Sequence, residues 1–165
     1  MVKLLEYVKG LPGGDYAECG VFQGDSAALI QQYLPDGVRF FLFDTYTGHP
    51  EPSHLDSRFH PKGRYSATST NRVRERFGGD DRIVIVPGEF KDTLPAYKDC
   101  WFRFVNLDCD LYQSYVDCLK FFITRMVPQG IIRIDDYQVE HCPGCVKAVD
   151  EIVGDRLVDR NYILF

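Results

Sequence analysis

The sequence has no long hydrophobic run and no cluster of basic residues. Its opening stretch, MVKLLEYVKGLPGG, is too interrupted by lysine, glutamate and glycine for a secretory signal, and no later run approaches the length of a membrane span. The net charge of -5, without a run of lysine and arginine, leaves no basic footprint for nucleic acid or an anionic membrane. These absences predict a cytoplasmic protein whose partners are small molecules.

The sequence also lacks a linker, an internal repeat and the cysteine spacing of a complete zinc site. Its 165 residues predict one domain, residues 1–165, large enough to bury a core without cross-links. Cys19, Cys109 and Cys118 lie inside apolar patterns, which favours buried free thiols. Cys142 and Cys145 have the spacing of a redox pair or half a zinc site, but no second pair with ligand spacing follows. We therefore expect all six cysteines to be free.

What the sequence does contain is an alternation of short apolar runs with helical patterns. Strands are predicted over 15–21, 38–44, 82–87, 101–110 and 131–135. Helices are predicted over 2–8, 25–33, 71–77, 113–126 and 144–153, with a helical turn over 92–97 and a short hairpin in the tail. The polar stretch between 45 and 70 is long enough for a lid or a disordered loop. The alternation predicts an α/β domain with a mainly parallel sheet.

The stretch from Asp15 to Ala27 turns from a strand into a helix. It contains Glu18, followed by Gly20 and Gly24, and a helix that begins there would direct backbone N–H groups at an anionic ligand group. The third glycine of the dinucleotide fingerprint is missing, which argues against a pyrophosphate on this turn. At this point a ligand site and an ordinary strand-to-helix turn are both open.

Acidic residues lie at the carboxyl end of every predicted strand. They are Glu18, Asp44, Glu89, Asp108, Asp110, Asp135 and Asp136. Asp44 lies twenty residues after Gly24, the placement at which an acid binds ribose hydroxyls in nucleoside-binding folds. The crowded acids of the last two strands predict a divalent cation such as Mg²⁺, because so many neighbouring negative charges need compensation. Helix capping is the alternative, and we expect it for Asp110.

Five segments together resemble the macrocin O-methyltransferase family, whose members are class I S-adenosylmethionine-dependent enzymes. They are Glu18–Gly24 (ECGVFQG), Gly88–Pro95 (GEFKDTLP), Leu107–Ser114 (LDCDLYQS), Asp135–Tyr137 (DDY) and Cys145–Asp150 (CVKAVD). The resemblance implies a Rossmann-like methyltransferase fold with helices on both faces of the sheet. It also implies S-adenosylmethionine as methyl donor, Mg²⁺ dependence, and an acceptor hydroxyl such as one on a sugar of a natural product.

The resemblance also implies roles for individual residues. The cofactor-binding group comprises Glu18, Gly20, Phe22, Gly24 and Ser26 around the methionine part, Asp44 at the ribose, and Gly88, Glu89 and Phe90 near the adenine. The metal-binding acids are Asp108, Asp135 and Asp136. The proton of the acceptor hydroxyl needs a base, for which Asp108, His49 and His141 are candidates. The alternative for each histidine is an exposed loop residue.

The sequence departs from the family pattern at several positions. Thr45 and Tyr46 stand where Ser-Phe is usual, His49 replaces an apolar residue, and Cys109 replaces glycine. Family members are generally longer, with N-terminal segments that close the acceptor site and support a dimer, so we expect a compact member or an incomplete chain, with a homodimer as a candidate assembly. Two other functions stay open, a dinucleotide-dependent oxidoreductase and a cofactor-binding protein without turnover.

Overall fold

The computed structural model describes residues 1–159 and 161–165, which form one α/β unit. The strands are β1 (Asp15–Cys19), β2 (Phe40–Asp44), β3 (Ile83–Pro87), β4 (Phe102–Leu107), β5 (Met126–Ile134), β6 (Leu157–Val158) and β7 (Tyr162–Leu164). The α-helices are α1 (Val2–Lys9), α2 (Asp25–Gln31), α3 (Thr70–Arg76), α4 (Phe90–Thr93), α5 (Tyr112–Phe122) and α6 (Pro143–Ile152). The predicted alternation of strands and helices is confirmed.

The described strands form a single sheet in the order β3-β2-β1-β4-β5-β7-β6. β1 to β5 pair in parallel, while β7 pairs antiparallel with β5 and with β6, which is the predicted C-terminal hairpin. Since β2 and β4 lie on either side of β1, the strand order reverses there. In open parallel sheets, ligands bind beyond the carboxyl ends of the strands at such a point.

The core lies on both faces of the sheet, because the central strands are apolar on both sides. In β2, Phe41 and Phe43 join one buried cluster and Phe40 and Leu42 join the other. Burial of both faces explains why these strands have near-continuous hydrophobic sequences instead of alternating ones. The six cysteines are free thiols, as predicted, and all but the half-buried Cys100 are buried.

The structure corrects the boundary between the fifth helix and the fifth strand. The helical pattern predicted a helix to Met126, but α5 ends at Phe122 and Met126 begins β5. Met126 pairs with Phe102 across the sheet, and the register shifts between Phe102 and Phe104. Pairing in the sheet therefore overrides the helical periodicity, and β5 includes Pro128, Gln129 and Gly130.

The segment 45–69 contains no regular helix or strand and packs against the carboxyl end of the sheet through hydrogen bonds. His49 N–H donates to Arg64 O (2.8 Å) and Gly63 N–H donates to His49 O (2.9 Å), which ties the segment to itself. Gln23 Nε2 donates to Ala67 O (3.0 Å), which ties it to the loop after β1. Within residues 1–159 and 161–165, no helix has the length and apolar character needed to cross a membrane.

Candidate functional site

A cavity of about 570 Å³ opens at the carboxyl ends of the parallel strands. This volume is in the range of small-molecule sites. Of the residues predicted for cofactor, metal or base, those that line it are Gly20, Phe22, Ser26, Asp44, His49, Phe90, Asp108, Asp136 and His141. Five others lie within two residues of lining residues in the chain but are not part of the described lining, namely Glu18, Gly24, Gly88, Glu89 and Asp135. The structure thus brings most of the predicted set to one place.

The loop after β1 approaches the end of β4 very closely. A Cβ atom on Gly20, whose φ is +88°, would lie 1.8 Å from Asp108 O, so only glycine fits here. Asp44 holds the same loop, since its Oδ2 accepts the N–H groups of Val21 (2.7 Å) and Phe22 (2.9 Å) and its Oδ1 accepts that of Tyr46 (2.7 Å). Asp44 therefore shapes the cavity, and its contact with a ribose stays a prediction.

Glu18 is fully buried beneath this loop. Asn106 Nδ2 donates to its Oε1 (2.7 Å), whereas its Oε2 has no hydrogen-bond partner among the described residues. Burial raises the pKa of Glu18 to about 7, although contacts with Ser26 and Asn106 oppose the shift. An unpartnered buried carboxylate oxygen fits the ammonium group of an amino-acid ligand, which would satisfy it.

The three acids predicted as metal ligands lie together. Oxygen atoms of Asp108, Asp135 and Asp136 are within 4.8 Å of one another. Burial and the neighbouring carboxylates raise the pKa of Asp108 well above its usual value, and burial with the charge of Asp110 raises that of Asp136 to about 6. Asp135 is also paired with Arg133. Crowded carboxylates that resist ionisation fit a hard divalent cation, which would compensate their charge.

Asp136 is oriented by its neighbours. Its Oδ2 accepts hydrogen bonds from Tyr115 Oη (2.7 Å) and from the N–H of Asp110 (2.9 Å). Because both bonds reach one oxygen, the other oxygen is available to a ligand. The protein's own groups therefore fix the orientation of Asp136.

The expectation that Asp110 caps the following helix is wrong. The first N–H of α5, on Tyr112, donates to Asp56 Oδ1 (2.7 Å), so the cap comes from the segment 45–69. Asp110 instead faces the cavity with a left-handed φ of 58° and contacts His49 and His60. Burial opposes its ionisation, but these histidines hold the pKa of Asp110 below its usual value.

The histidines fall into two groups. His49 Nε2 lies 3.0 Å from Asp110 Oδ2, and the His49 side chain is only 11% exposed, so it is not the exposed loop residue considered as an alternative. His60 is buried, and burial lowers its pKa. His141 is exposed and packs against the ring of Phe59 at 4.3 Å.

Three residues predicted to bind the cofactor are outside the described lining of the cavity, namely Glu89, Gly88 and Gly24. Glu89 is exposed and paired with Lys91. Gly88 N–H donates to Asp44 O (2.9 Å), and Gly24 is the N-cap of α2. Of the segment predicted to lie near an adenine, only Phe90 lines the cavity among the described residues.

Sequence reasoning did not identify His60, Arg64 and Tyr65 as lining residues. They come from the segment 45–69, whose irregular sequence carries no periodic signal. One available signal was the departure from the family pattern at His49, because two further histidines, His54 and His60, occur in the same polar segment.

Comparison with known proteins gives further information on the chain as a whole. The chain matches the model of the family described as macrocin-O-methyltransferase (TylF) over residues 5–162. It is 34% identical over 151 residues to 8-demethyl-8-(2,3-dimethoxy-alpha-L-rhamnosyl)-tetracenomycin-C 4'-O-methyltransferase of Streptomyces olivaceus, covering 83% of this chain and 58% of that one. It is 32% identical to demethyldecarbamoylnovobiocin O-methyltransferase of Streptomyces niveus, covering 91% of this chain and 64% of that one.

The fold has a close counterpart among solved structures. The structure titled CalS11, calicheamicin methyltransferase, superposes with a TM-score of 0.80 at 22% identity, covering 99% of this chain and 76% of that one. The predicted Rossmann-like class I methyltransferase fold is thereby confirmed. The chain spans about three fifths of the length of the two curated relatives.

Proposed function

The chain belongs to the macrocin O-methyltransferase family, and we propose that it transfers a methyl group from S-adenosylmethionine to a hydroxyl group of a sugar or natural product with the help of Mg²⁺. The observation that carries the proposal is the position of the acid cluster of Asp108, Asp135 and Asp136 at the strand ends, two of whose members line the cavity beside the Gly20 loop. Both named curated relatives are O-methyltransferases of glycosylated or natural-product substrates by their printed names, which supports the substrate class.

The loop after β1 would hold the amino-acid end of the donor. The unpartnered Glu18 Oε2 supports this role, and Ser26 lines the cavity at the start of α2. Phe90 supplies an apolar surface for the adenine end. These contacts would orient the donor, and orientation of the reactants accounts for a large part of the rate of a single displacement.

The acid cluster would hold Mg²⁺ and the acceptor. When bound, S-adenosylmethionine supplies an electrophilic methyl group and Mg²⁺ lowers the pKa of a coordinated hydroxyl. Asp136 is fixed by Tyr115 and by the Asp110 N–H, so the position of its free oxygen is determined before a ligand binds. Asp135 would exchange part of its contact with Arg133 for the cation.

His49 is the residue that would take the acceptor proton. Asp108 and His49 both line the cavity. In this proposal Asp108 binds Mg²⁺, whereas His49 is not one of the Mg²⁺ ligands and is free to act as the base. Asp110 Oδ2, 3.0 Å from His49 Nε2, holds the ring and would stabilise the imidazolium that forms. Asp110 is therefore a positioning residue here, and His49 Nδ1, which has no hydrogen-bond partner among the described residues, would accept the proton.

Calorimetry with S-adenosylmethionine and with NAD⁺, each with and without Mg²⁺, tests the donor. We expect S-adenosylmethionine to bind and NAD⁺ not to bind. Failure of S-adenosylmethionine to bind contradicts the proposal, and tight binding of NAD⁺ would favour an oxidoreductase.

Methyl transfer to a panel of glycosylated natural products tests the reaction. The double variant Asp135→Ala/Asp136→Ala should abolish Mg²⁺-dependent transfer while donor affinity stays within a few-fold. Asp92→Ala, which removes an exposed acidic side chain on α4, is the matched control and should keep full activity. Donor binding without transfer to any acceptor by the unchanged protein would point to a binding protein.

A further inference from the structure

A second group of metal-ligating side chains lies beside the acid cluster. His49 and His60, both from the segment 45–69, converge on Asp110 at the end of β4. His49 Nε2 is 3.0 Å from Asp110 Oδ2, and His60 Nδ1 is 3.5 Å from Asp110 Oδ1. One donor atom of each residue lies within 4.8 Å of those of the other two. We propose that His49, His60 and Asp110 bind a divalent transition-metal ion of the zinc class, at a site separate from the acid cluster.

The spacing of the donor atoms fits such an ion. Nitrogen and oxygen ligands at about 2.0–2.1 Å from a tetrahedral zinc ion are about 3.3 Å apart. The two contacts of Asp110, at 3.0 Å and 3.5 Å, lie on either side of that value. The two contacts use different oxygens of Asp110, so its carboxylate would bind an ion through both oxygens or rotate to offer one of them. Three protein ligands would leave a fourth position open.

His60 carries the second, independent sign of a ligand. The residue is only 5% exposed, yet its Nδ1 makes no hydrogen bond among the described residues, although it lies 3.5 Å from Asp110 Oδ1. Its other ring nitrogen, Nε2, faces Cys142 Sγ at 3.5 Å. A metal-binding histidine characteristically contacts a protein group with one nitrogen and the metal with the other. In this proposal Cys142 orients His60 and is not itself a metal ligand.

The chemistry of the donors separates the two groups. Imidazole nitrogens favour zinc and similar transition-metal ions, whereas Mg²⁺ prefers carboxylate and water oxygens. Asp108, Asp135 and Asp136 offer only oxygen, while His49 and His60 offer nitrogen. The same cavity therefore contains one group of side chains suited to Mg²⁺ and a neighbouring group suited to zinc. The hydrogen bond from the Asp110 N–H to Asp136 Oδ2 joins the two groups.

A metal ion at this site would join the segment 45–69 to the sheet. Two ligands belong to that segment and the third follows β4, so binding would cross-link the irregular wall of the cavity to the strand ends. The site does not depend on methyl transfer. One consequence rests on the proposed function: zinc would occupy His49 and Asp110, so excess Zn²⁺ would inhibit transfer.

Co²⁺ absorption spectroscopy and Zn²⁺ competition with a chromophoric chelator test the site on the full chain stripped of metal. We expect the visible bands of four-coordinate Co²⁺, their loss on addition of Zn²⁺, and little displacement by Mg²⁺. His49→Gln and His60→Gln should each weaken Zn²⁺ binding at least tenfold. Cys142→Ser should weaken it less, and the Co²⁺ spectrum should lack a thiolate charge-transfer band.

The two remaining histidines provide matched controls. His54→Gln and His141→Gln remove the same chemical group and should leave Zn²⁺ affinity unchanged, as should Asp135→Asn in the acid cluster. Circular dichroism of each variant verifies folding, and if His60→Gln fails to fold, His49→Gln and the controls decide. Zn²⁺ binding that is equally strong without His49, or that falls equally in the control variants, overturns the proposal. A strong thiolate charge-transfer band would show that Cys142 binds the metal and would contradict its role as an orienting residue. Failure of the proposed function is separately visible as absence of S-adenosylmethionine binding.

Discussion

The cavity has two walls that are built in different ways. One wall consists of strand ends, where Gly20, Asp44, Asp108 and Asp136 occupy positions set by the parallel ladder of the sheet. The other wall is the segment 45–69, held by single hydrogen bonds such as that from Tyr112 N–H to Asp56 Oδ1. The strand-end wall should therefore unfold only with the whole domain, whereas the segment 45–69 can open locally at a smaller cost in free energy.

The largest expected effect tests the rigidity of the strand-end wall. Gly20→Ala places a Cβ atom 1.8 Å from Asp108 O, a backbone atom that cannot move without disturbing β4. We expect a loss of about 3–5 kcal/mol in the free energy of unfolding, measured by chemical denaturation. Gly63→Ala is the matched control, because Gly63 also has a positive φ (+77°) but no atom lies within 4 Å of its added Cβ among the described residues. It should cost about 1 kcal/mol, and equal losses in the two variants would contradict this account.

The next effect concerns the charge of the strand-end wall. Asp136 has a pKa of about 6 in the folded chain, raised by burial, so the folded state retains a proton that the unfolded state releases near pH 4. Its stabilising contribution is present below about pH 4 and is lost as the pH rises to about 6, by about 2–3 kcal/mol. Asp108, raised in the same sense, extends the loss to higher pH.

Thermal unfolding of the metal-free protein between pH 4.5 and 8 measures this loss. The variant Asp136→Asn is the control, because it removes the titration of Asp136 and keeps that of every other group. The Asn variant should show a flatter dependence over the same range. Mg²⁺ should raise the melting temperature more at pH 7.5 than at pH 5, because it binds the ionised carboxylates. Equal Mg²⁺ effects at both values would argue against a cation in the acid cluster.

The smallest effect tests the independence of the segment 45–69. Asp56→Ala removes the acceptor of the Tyr112 N–H and of Ser53 N–H and Oγ–H. We expect a loss of about 1–2 kcal/mol, as for other helix caps. Hydrogen exchange should accelerate in residues 45–69 and at the start of α5 while β1 and β4 stay protected. Ser57→Ala, which removes only one long bond to the Phe59 N–H, is the control, and faster exchange throughout the sheet would contradict local opening.

The sequence predicted the strand-end wall well and the segment 45–69 poorly. Apolar runs ending in an acid located Asp44, Asp108 and Asp136, because the carboxyl ends of parallel strands meet at one edge. The same reasoning misassigned Asp110, since the position just before a helix is typical of a cap, and the competing cap, Asp56, lies far away in the chain. It also extended the fifth helix into β5, because the pairing of Met126 with Phe102 leaves no trace in local periodicity.

The sequence by itself determined the order of strands and helices, the resemblance to a methyltransferase family and the edge of the sheet where acids collect. These follow from local patterns and from the general geometry of parallel sheets. Tertiary structure alone decided that His49 and His60 meet Asp110 and that Asp56 caps α5. It also decided that one oxygen of Glu18 has no hydrogen-bond partner in the part of the chain that the structure describes. Each of these depends on how an irregular segment or a buried side chain meets residues distant in the chain, and no local pattern encodes that meeting.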